Sequence, residues 1–237
     1  MDKFFYIDAA LFAQVTGTNT HAKYDVLAVI DERPGYVWWS TDISQSIITF
    51  AYSSQTYLEC VILINHNFET GDTVRWETSN DGFLTDPIQS IPIDPASSFL
   101  EMQFQNTHYR LKMQKNQGNN IQVGKIFLAQ KIFQPTPYTY SFTSGLEIVF
   151  PEKTAKGGHT YRGDLEYSRK NITPPYKDLT QDEVKTFEEI AREKNICYYH
   201  YVDQKMYYGT WKQSIPNCTG VNEWEINGAF TENGVPE

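Results

Sequence analysis

Cysteine is scarce. Cys60, Cys197 and Cys218 are the only three in 237 residues, an odd number with no CxxC among them. That excludes a disulfide framework and a zinc ribbon. Free thiols fit a reducing cytosol, and Cys60, which opens Cys60-Val61-Ile62-Leu63-Ile64, reads as a small buried hydrophobe. Basic charge is also short: Lys and Arg number 20 against 29 Asp and Glu, for a net charge of −9. A nucleic-acid groove needs a basic footprint and anionic lipid attracts polybasic segments, so neither is an expected partner. No apolar run approaches a membrane span, and charge interrupts the opening MDKFFYID too soon for a signal peptide. The expectation is a chain made and folded in a cytoplasm, without membrane insertion. On that expectation Asn171-Ile172-Thr173 and Asn217-Cys218-Thr219 match the glycosylation pattern by chance.

Catalytic fingerprints are missing as well. There is no nucleophile elbow, no zincin helix and no dinucleotide fingerprint, and Lys156-Gly157-Gly158 lacks the spacing of a phosphate loop. His66 sits between Asn65 and Asn67 after an apolar run, but no second histidine lies at i+2 or i+4. It reads as the end of a buried strand, where side chains satisfy loop backbone groups. Asp164/Glu166 and Glu223/Glu225 pair carboxylates at i, i+2, on one face of a strand. That spacing suits a glycosidase in principle, but acids on a solvent face repeat the same way. Arg162-Gly163-Asp164 spells an integrin-binding tripeptide and reads as coincidence. The expectation is a protein that is not an enzyme, with no catalytic residue, no cofactor and no metal.

What is abundant is aromatic surface, 16 Tyr and 14 Phe, at a density that suits sheet faces and interfaces. Short strand patterns fill the first half: Tyr24–Ile30, Ile47–Tyr52, Cys60–Asn65, Thr73–Glu77, Phe99–Phe104, Tyr109–Met113 and Ile121–Leu128. Turn clusters separate several of them, at Glu69–Asp72, Ser79–Gly82 and Gly118–Asn120. Such spacing indicates an antiparallel sandwich or barrel. The rhythm breaks at Gln134-Pro135-Thr136-Pro137, a plausible linker. Beyond it one helix is expected at about 180–194. Thr180 and Glu183 form a capping box, and Val184, Phe187, Ile190 and Ala191 share a face. The fold class is therefore mainly β: an N-terminal antiparallel jelly-roll β-sandwich over 1–134, then a smaller β-rich (α+β) domain over 135–237.

In chain order, Trp38-Trp39-Ser40, Ser46–Tyr52, Val61–Asn67, Val74–Gly82, His108–Leu111 and Ile121–Leu128 resemble the galactose-binding-like, discoidin-type jelly roll of tailed-bacteriophage tail proteins. Gly228-Ala229-Phe230-Thr231-Glu232 resembles the closing strand of other tail components. The resemblance implies a structural part of a virion tail, tail tip or baseplate. Its partners would be other tail proteins and copies of itself in a ring. The alternative is a carbohydrate-binding module recognising a host cell-surface glycan. In that reading Trp38 or Trp39 would stack on a sugar ring, and Asn67 or Asp81 would bond its hydroxyls. The sequence departs from sugar-binding members in lacking their cysteine pair and any obvious Arg/His cluster on one loop.

Overall fold

The structure is a computed structural model and describes residues 1–33, 35–85, 87–97, 99–135, 143–149, 152–154, 160–162, 167–220, 223–233 and 235–236. The chain divides into two compact units. One is Phe5–Ile132; the other joins Met1–Phe4 to Phe133–Glu237.

β1 (Lys3–Asp8) leads into the first unit, and β2 (Gln14–Gly17), β3 (Trp38–Trp39), β4 (Ser46–His66), β5 (Thr73–Ser79), β6 (Gln89–Pro92), β7 (Phe99–Gln114) and β8 (Gln122–Phe133) build it. All the registers found among β2–β8 are antiparallel. The unit is a β-sandwich. Its two longest strands each serve both layers. The early half of β4 lies between β2 and the late half of β7, with β5 and β6 beyond. The late half of β4 lies between the early half of β7 and β8. The sequence pattern had each of these strands as two, because alternation fails at the bends. There the register shifts between Ala51 and Thr56, so four residues of β4 oppose one of β7. The Tyr109 hydroxyl fastens this bend. It donates to Thr56 O at 2.6 Å and accepts the Asn106 N–H at 2.9 Å.

Between the layers lie Trp38, Phe50, Trp76, Tyr109, Leu111 and Ile126, all fully buried. Trp76 stacks on Tyr109, with centroids 5.7 Å apart. Cys60–Leu63 is buried at every position, the continuous burial its unbroken apolar run suggested. Tyr24–Ile30 is a correction. The weak alternation pointed to a strand, yet Val26–Ile30 is a 3₁₀ helix. Asp25 decides this: its Oδ1 accepts the Leu27 N–H at 3.1 Å and caps the turn.

The second unit contains β9 (Thr143–Val149), β10 (Glu152–Thr154), β11 (Thr160–Arg162), β12 (Tyr167–Thr173), β13 (Pro175–Leu179), α1 (Gln181–Ile190), β14 (Ile196–His200), β15 (Lys205–Gln213), β16 (Asn217–Gly220), β17 (Glu223–Glu232) and β18 (Val235–Pro236). Thr180 and Glu183 close the capping box at the start of α1. α1 buries Val184, Phe187 and Ile190, worth roughly 1.5–3 kcal/mol for each large side chain. Phe187 stands edge-on to Phe4 at 5.4 Å and stacks on Trp211 at 5.7 Å. Trp211 in turn needs Gly228 opposite, because a Cβ there would fall 1.8 Å from its ring. Met1–Phe4 belong to this unit for a second reason. The buried Asp2 carboxylate accepts from the Tyr198 hydroxyl at 2.6 Å, the Tyr176 hydroxyl at 3.2 Å and the Tyr201 N–H at 2.9 Å.

Asp2→Ala strands those donors, each costing about 1–3 kcal/mol. Denaturant unfolding followed by tryptophan fluorescence should show a loss of at least about 3 kcal/mol, and a smaller one for Asp2→Asn, which keeps one acceptor oxygen. A loss below about 1 kcal/mol for Asp2→Ala would remove this carboxylate from the account of the second unit.

Candidate functional site

β3 pairs with the start of β8, Trp38 opposite Val123 and Trp39 opposite Gln122. Adjacent strand residues face opposite ways, and these two separate accordingly. Trp38 is fully buried, and its indole N–H donates to Thr20 Oγ1 at 3.1 Å. It cannot meet a sugar, so its reading as a stacking platform is corrected to a core anchor. Trp39 is half-buried and lies flat against Tyr24, with centroids 4.4 Å and planes 18° apart. The His21 N–H donates to Trp39 O at 2.9 Å and the Tyr24 N–H to His21 O at 3.0 Å, which folds this segment over β3.

From Tyr24 the chain enters the 3₁₀ turn capped by Asp25 and then a polar bend. Here Arg33 closes on Asp31. Its Nε donates to Oδ1 and its Nη2 to Oδ2, both at 2.9 Å, while the Arg33 N–H donates to Oδ1 at 2.8 Å. These bonds hold the Asp31 carboxyl at about 2. The guanidinium also lies 3.8 Å over the ring of Tyr36. Together these residues enclose a groove of about 480 Å³, open to solvent and walled by Tyr24, Leu27, Asp31, Arg33 and Tyr36, with Lys23 and Asp25 also on its lining. That size and mixture suit a small-molecule or oligomer site.

The other sequence-derived positions have local duties. Asn67 Nδ2 donates to Asn120 O at 2.8 Å and its Oδ1 accepts the Gln122 N–H at 2.9 Å, so the amide clamps two loops. Asp81 accepts from the Ser79 hydroxyl at 2.6 Å and the Thr85 hydroxyl at 2.6 Å, which holds its carboxyl at about 2. Asn67 precedes β5 and Asp81 follows it, so a seven-residue strand separates them, about 20 Å. Neither is directed to a ligand by its bonding, and the structure does not gather the two. His66 ends β4, and its Nδ1 accepts the Phe68 N–H at 3.3 Å. Glu225 pairs with Lys177 at 3.4 Å beside an exposed Glu223, while Asp164 and Glu166 lie outside the described residues. Among the described residues no His, Cys, Asp and Glu group is arranged to hold a metal. Tyr24, Arg33 and Tyr36 escaped the sequence reading. The available signal was Asp31-x-Arg33 ahead of Pro34-Gly35-Tyr36: an Asx-turn pattern, then a Pro-Gly turn signal followed by an aromatic residue.

No protein-family model matches the chain, and no curated protein matches it. Solved structures do. A His 62 mutant of the lectin binding domain of Lectinolysin, complexed with Lewis b, is similar at 10% identity and TM-score 0.43, over 54% of this chain and 99% of that one. CpGH89CBM32-5 from Clostridium perfringens, in complex with GalNAc-β-1,3-galactose, is similar at 14% identity and TM-score 0.41, over 51% and 96%. Chitosan-binding module 1 from a chitosanase/glucanase of Paenibacillus sp. IK-5 is similar at 14% identity and TM-score 0.42, over 52% and 98%. Those ligands belong to those proteins. The expectation of a structural component of a phage tail, tip or baseplate is corrected at this point. The three structures named here are a lectin domain and two carbohydrate-binding modules, and none of them is a virion part. The residues that carried the phage resemblance are sandwich-building strands and turns, which specify architecture and not assembly.

Burial and the nearby Lys115 ammonium depress the His66 imidazole from 6.5 to about 4. Between those values the unfolded chain takes up a proton that the folded chain refuses. The stability owed to neutral His66 is complete above pH 6.5, falls as pH drops to about 4 and changes no further below. Over that window the wild type should lose up to about 3 kcal/mol more than His66→Gln, read from denaturation curves at stepped pH. Parallel curves would show that this ring does not couple to folding.

Proposed function

We propose that the Phe5–Ile132 unit binds a carbohydrate in the groove between Tyr24 and Tyr36, as a non-catalytic module. One observation carries this reading: each tyrosine is held from one side by another flat group, Tyr24 by Trp39 at 4.4 Å and Tyr36 by the Arg33 guanidinium at 3.8 Å. A sugar ring presents an apolar face of C–H bonds and an edge of hydroxyls. The C–H face packs on an aromatic ring, and the hydroxyls bond to polar groups beside it. Rings fixed before binding lose little freedom when the ligand arrives. Tyr36 is 53% exposed, so its ring is accessible to such a ligand.

Polar groups stand at the right places for the hydroxyl edge. Arg33 commits two of its side-chain N–H groups to Asp31 and keeps the others. Lys23 and Asp25 line the same groove. Carboxylates are used here to accept hydroxyl hydrogens, not to transfer protons: Asp31 stays ionised at any ordinary pH because Arg33 bonds to it.

Tyr36→Ala should weaken the best-bound glycan about tenfold, the equivalent of about 1.4 kcal/mol, within the upper range of an aromatic contact. Tyr24→Ala should do the same, and Asp81→Ala should leave affinity unchanged. Glycan-array screening followed by isothermal titration calorimetry of the full chain checks this. A protein that retains no glycan, or a Tyr36→Ala variant that binds as well as the wild type, would remove the reading.

A further inference from the structure

Resting on the carbohydrate reading, the geometry points to a neutral, hydroxyl-rich glycan as the ligand of this groove, with the Asp31–Arg33 pair as the element that rejects charged sugars. The charged groups on the lining are Lys23 and Arg33 against Asp25 and Asp31, two of each sign. Arg33 and Asp31 neutralise each other through two side-chain bonds of 2.9 Å. No charge surplus remains to receive a carboxylate or an ammonium group. An acidic sugar would also approach a chain of net charge −9, which raises the cost of its approach.

Hydrogen-bond chemistry gives the same answer independently. A carboxylate only accepts and an ammonium only donates, whereas a hydroxyl does both. The locked pair keeps the remaining N–H groups of Arg33 as donors and one open acceptor position on Asp31 Oδ2, since Oδ1 already accepts from both Arg33 Nε and the Arg33 backbone N–H. Neighbouring hydroxyls on a sugar ring match such a set. A uronic carboxylate would meet Asp31 with like charge, and an amino sugar would meet Arg33 likewise. Separating Arg33 from Asp31 to receive either would also undo the bond that lays the guanidinium over Tyr36, 3.8 Å from its ring.

The test titrates the full chain with three probe sets: neutral oligosaccharides of several configurations, oligogalacturonates, and chitosan oligomers. Each titration is run at low and at physiological salt. The neutral set should contain the tightest ligand, with a dissociation constant that changes less than about twofold with salt. Oligogalacturonate and chitosan should bind at least about tenfold more weakly. Asp31→Asn makes the lining net positive, so oligogalacturonate should gain affinity and salt sensitivity while the neutral ligand weakens. Lys23→Gln alters only an exposed side chain and moves the balance the other way, so chitosan should gain; it serves as the readout if Asp31→Asn does not fold. A tightest ligand that is acidic or basic, with affinity falling steeply in salt, overturns the inference and leaves the carbohydrate reading intact. Failure of all three sets overturns both.

Discussion

One hydroxyl organises the first unit. Tyr109 lies fully buried on β7, and its oxygen meets the chain where β4 and β7 both cross from one layer to the other. A strand that changes layers leaves backbone groups unpaired at the bend, and a buried orphan costs about as much as a lost hydrogen bond. The tyrosine supplies a donor for Thr56 O and an acceptor for the Asn106 N–H at that point. Its ring is fixed by Trp76 on one side and Tyr52 edge-on at 6.0 Å. With the bend fixed, two long strands do the work of four, and the layers share a continuous backbone. The ends of β4, β5, β7 and β8 then stand in set positions, and the loops between them start from rigid ground.

Those loops use their polar side chains to satisfy local groups. Asp42 is bound to Ser44, Asp72 to Glu69 and Asn116, Asp81 to Ser79 and Thr85, and Asn67 to both sides of the Asn120–Gln122 turn. Each satisfies backbone or hydroxyl groups of its own neighbourhood. The 21–37 segment uses the same kind of bond, with Asp25 accepting the Leu27 N–H and Asp31 the Arg33 N–H. Its 3₁₀ turn is secured by one carboxylate oxygen of Asp25, and its bend by the Asp31–Arg33 pair. The aromatic faces of Tyr24 and Tyr36 then remain at a groove and not in a core.

Much of the architecture was legible because it depends on local pattern. Val74 and Trp76 alternate with Arg75 and Glu77, and the buried side is the apolar one, with one exception: Glu77 is also buried because Arg110 reaches it at 2.6 Å. The α1 capping box is a four-residue signal and formed as written. Tyr24–Ile30 was misread because Asp25 can satisfy a turn as readily as it can precede a strand, and weak alternation over seven residues does not separate the two. The role of Asp2 was not legible at all. Its three donors lie 174 to 199 residues away, a distance that no periodicity spans. The groove suffered the same way: Trp39 was visible as an aromatic, but Tyr24 covering its face was not.

The residues best suited to catch the eye in a sequence are poor guides to a binding site for a physical reason. Tryptophan, asparagine and aspartate at strand ends are there most often because strand ends have backbone groups to satisfy and apolar corners to fill. Trp38 fills such a corner, and Asn67 satisfies such a turn. A ligand needs the opposite: side chains that the fold holds still without consuming. Tyr36 meets that condition, because Arg33 steadies one face of the ring while more than half of the residue's surface remains in water. Arg33 meets it too, because Asp31 fixes its plane with part of its donor set and leaves the rest free to bond. The distinction lies in how many of a group's bonding positions are already filled, a quantity set by tertiary neighbours and therefore absent from any window of sequence.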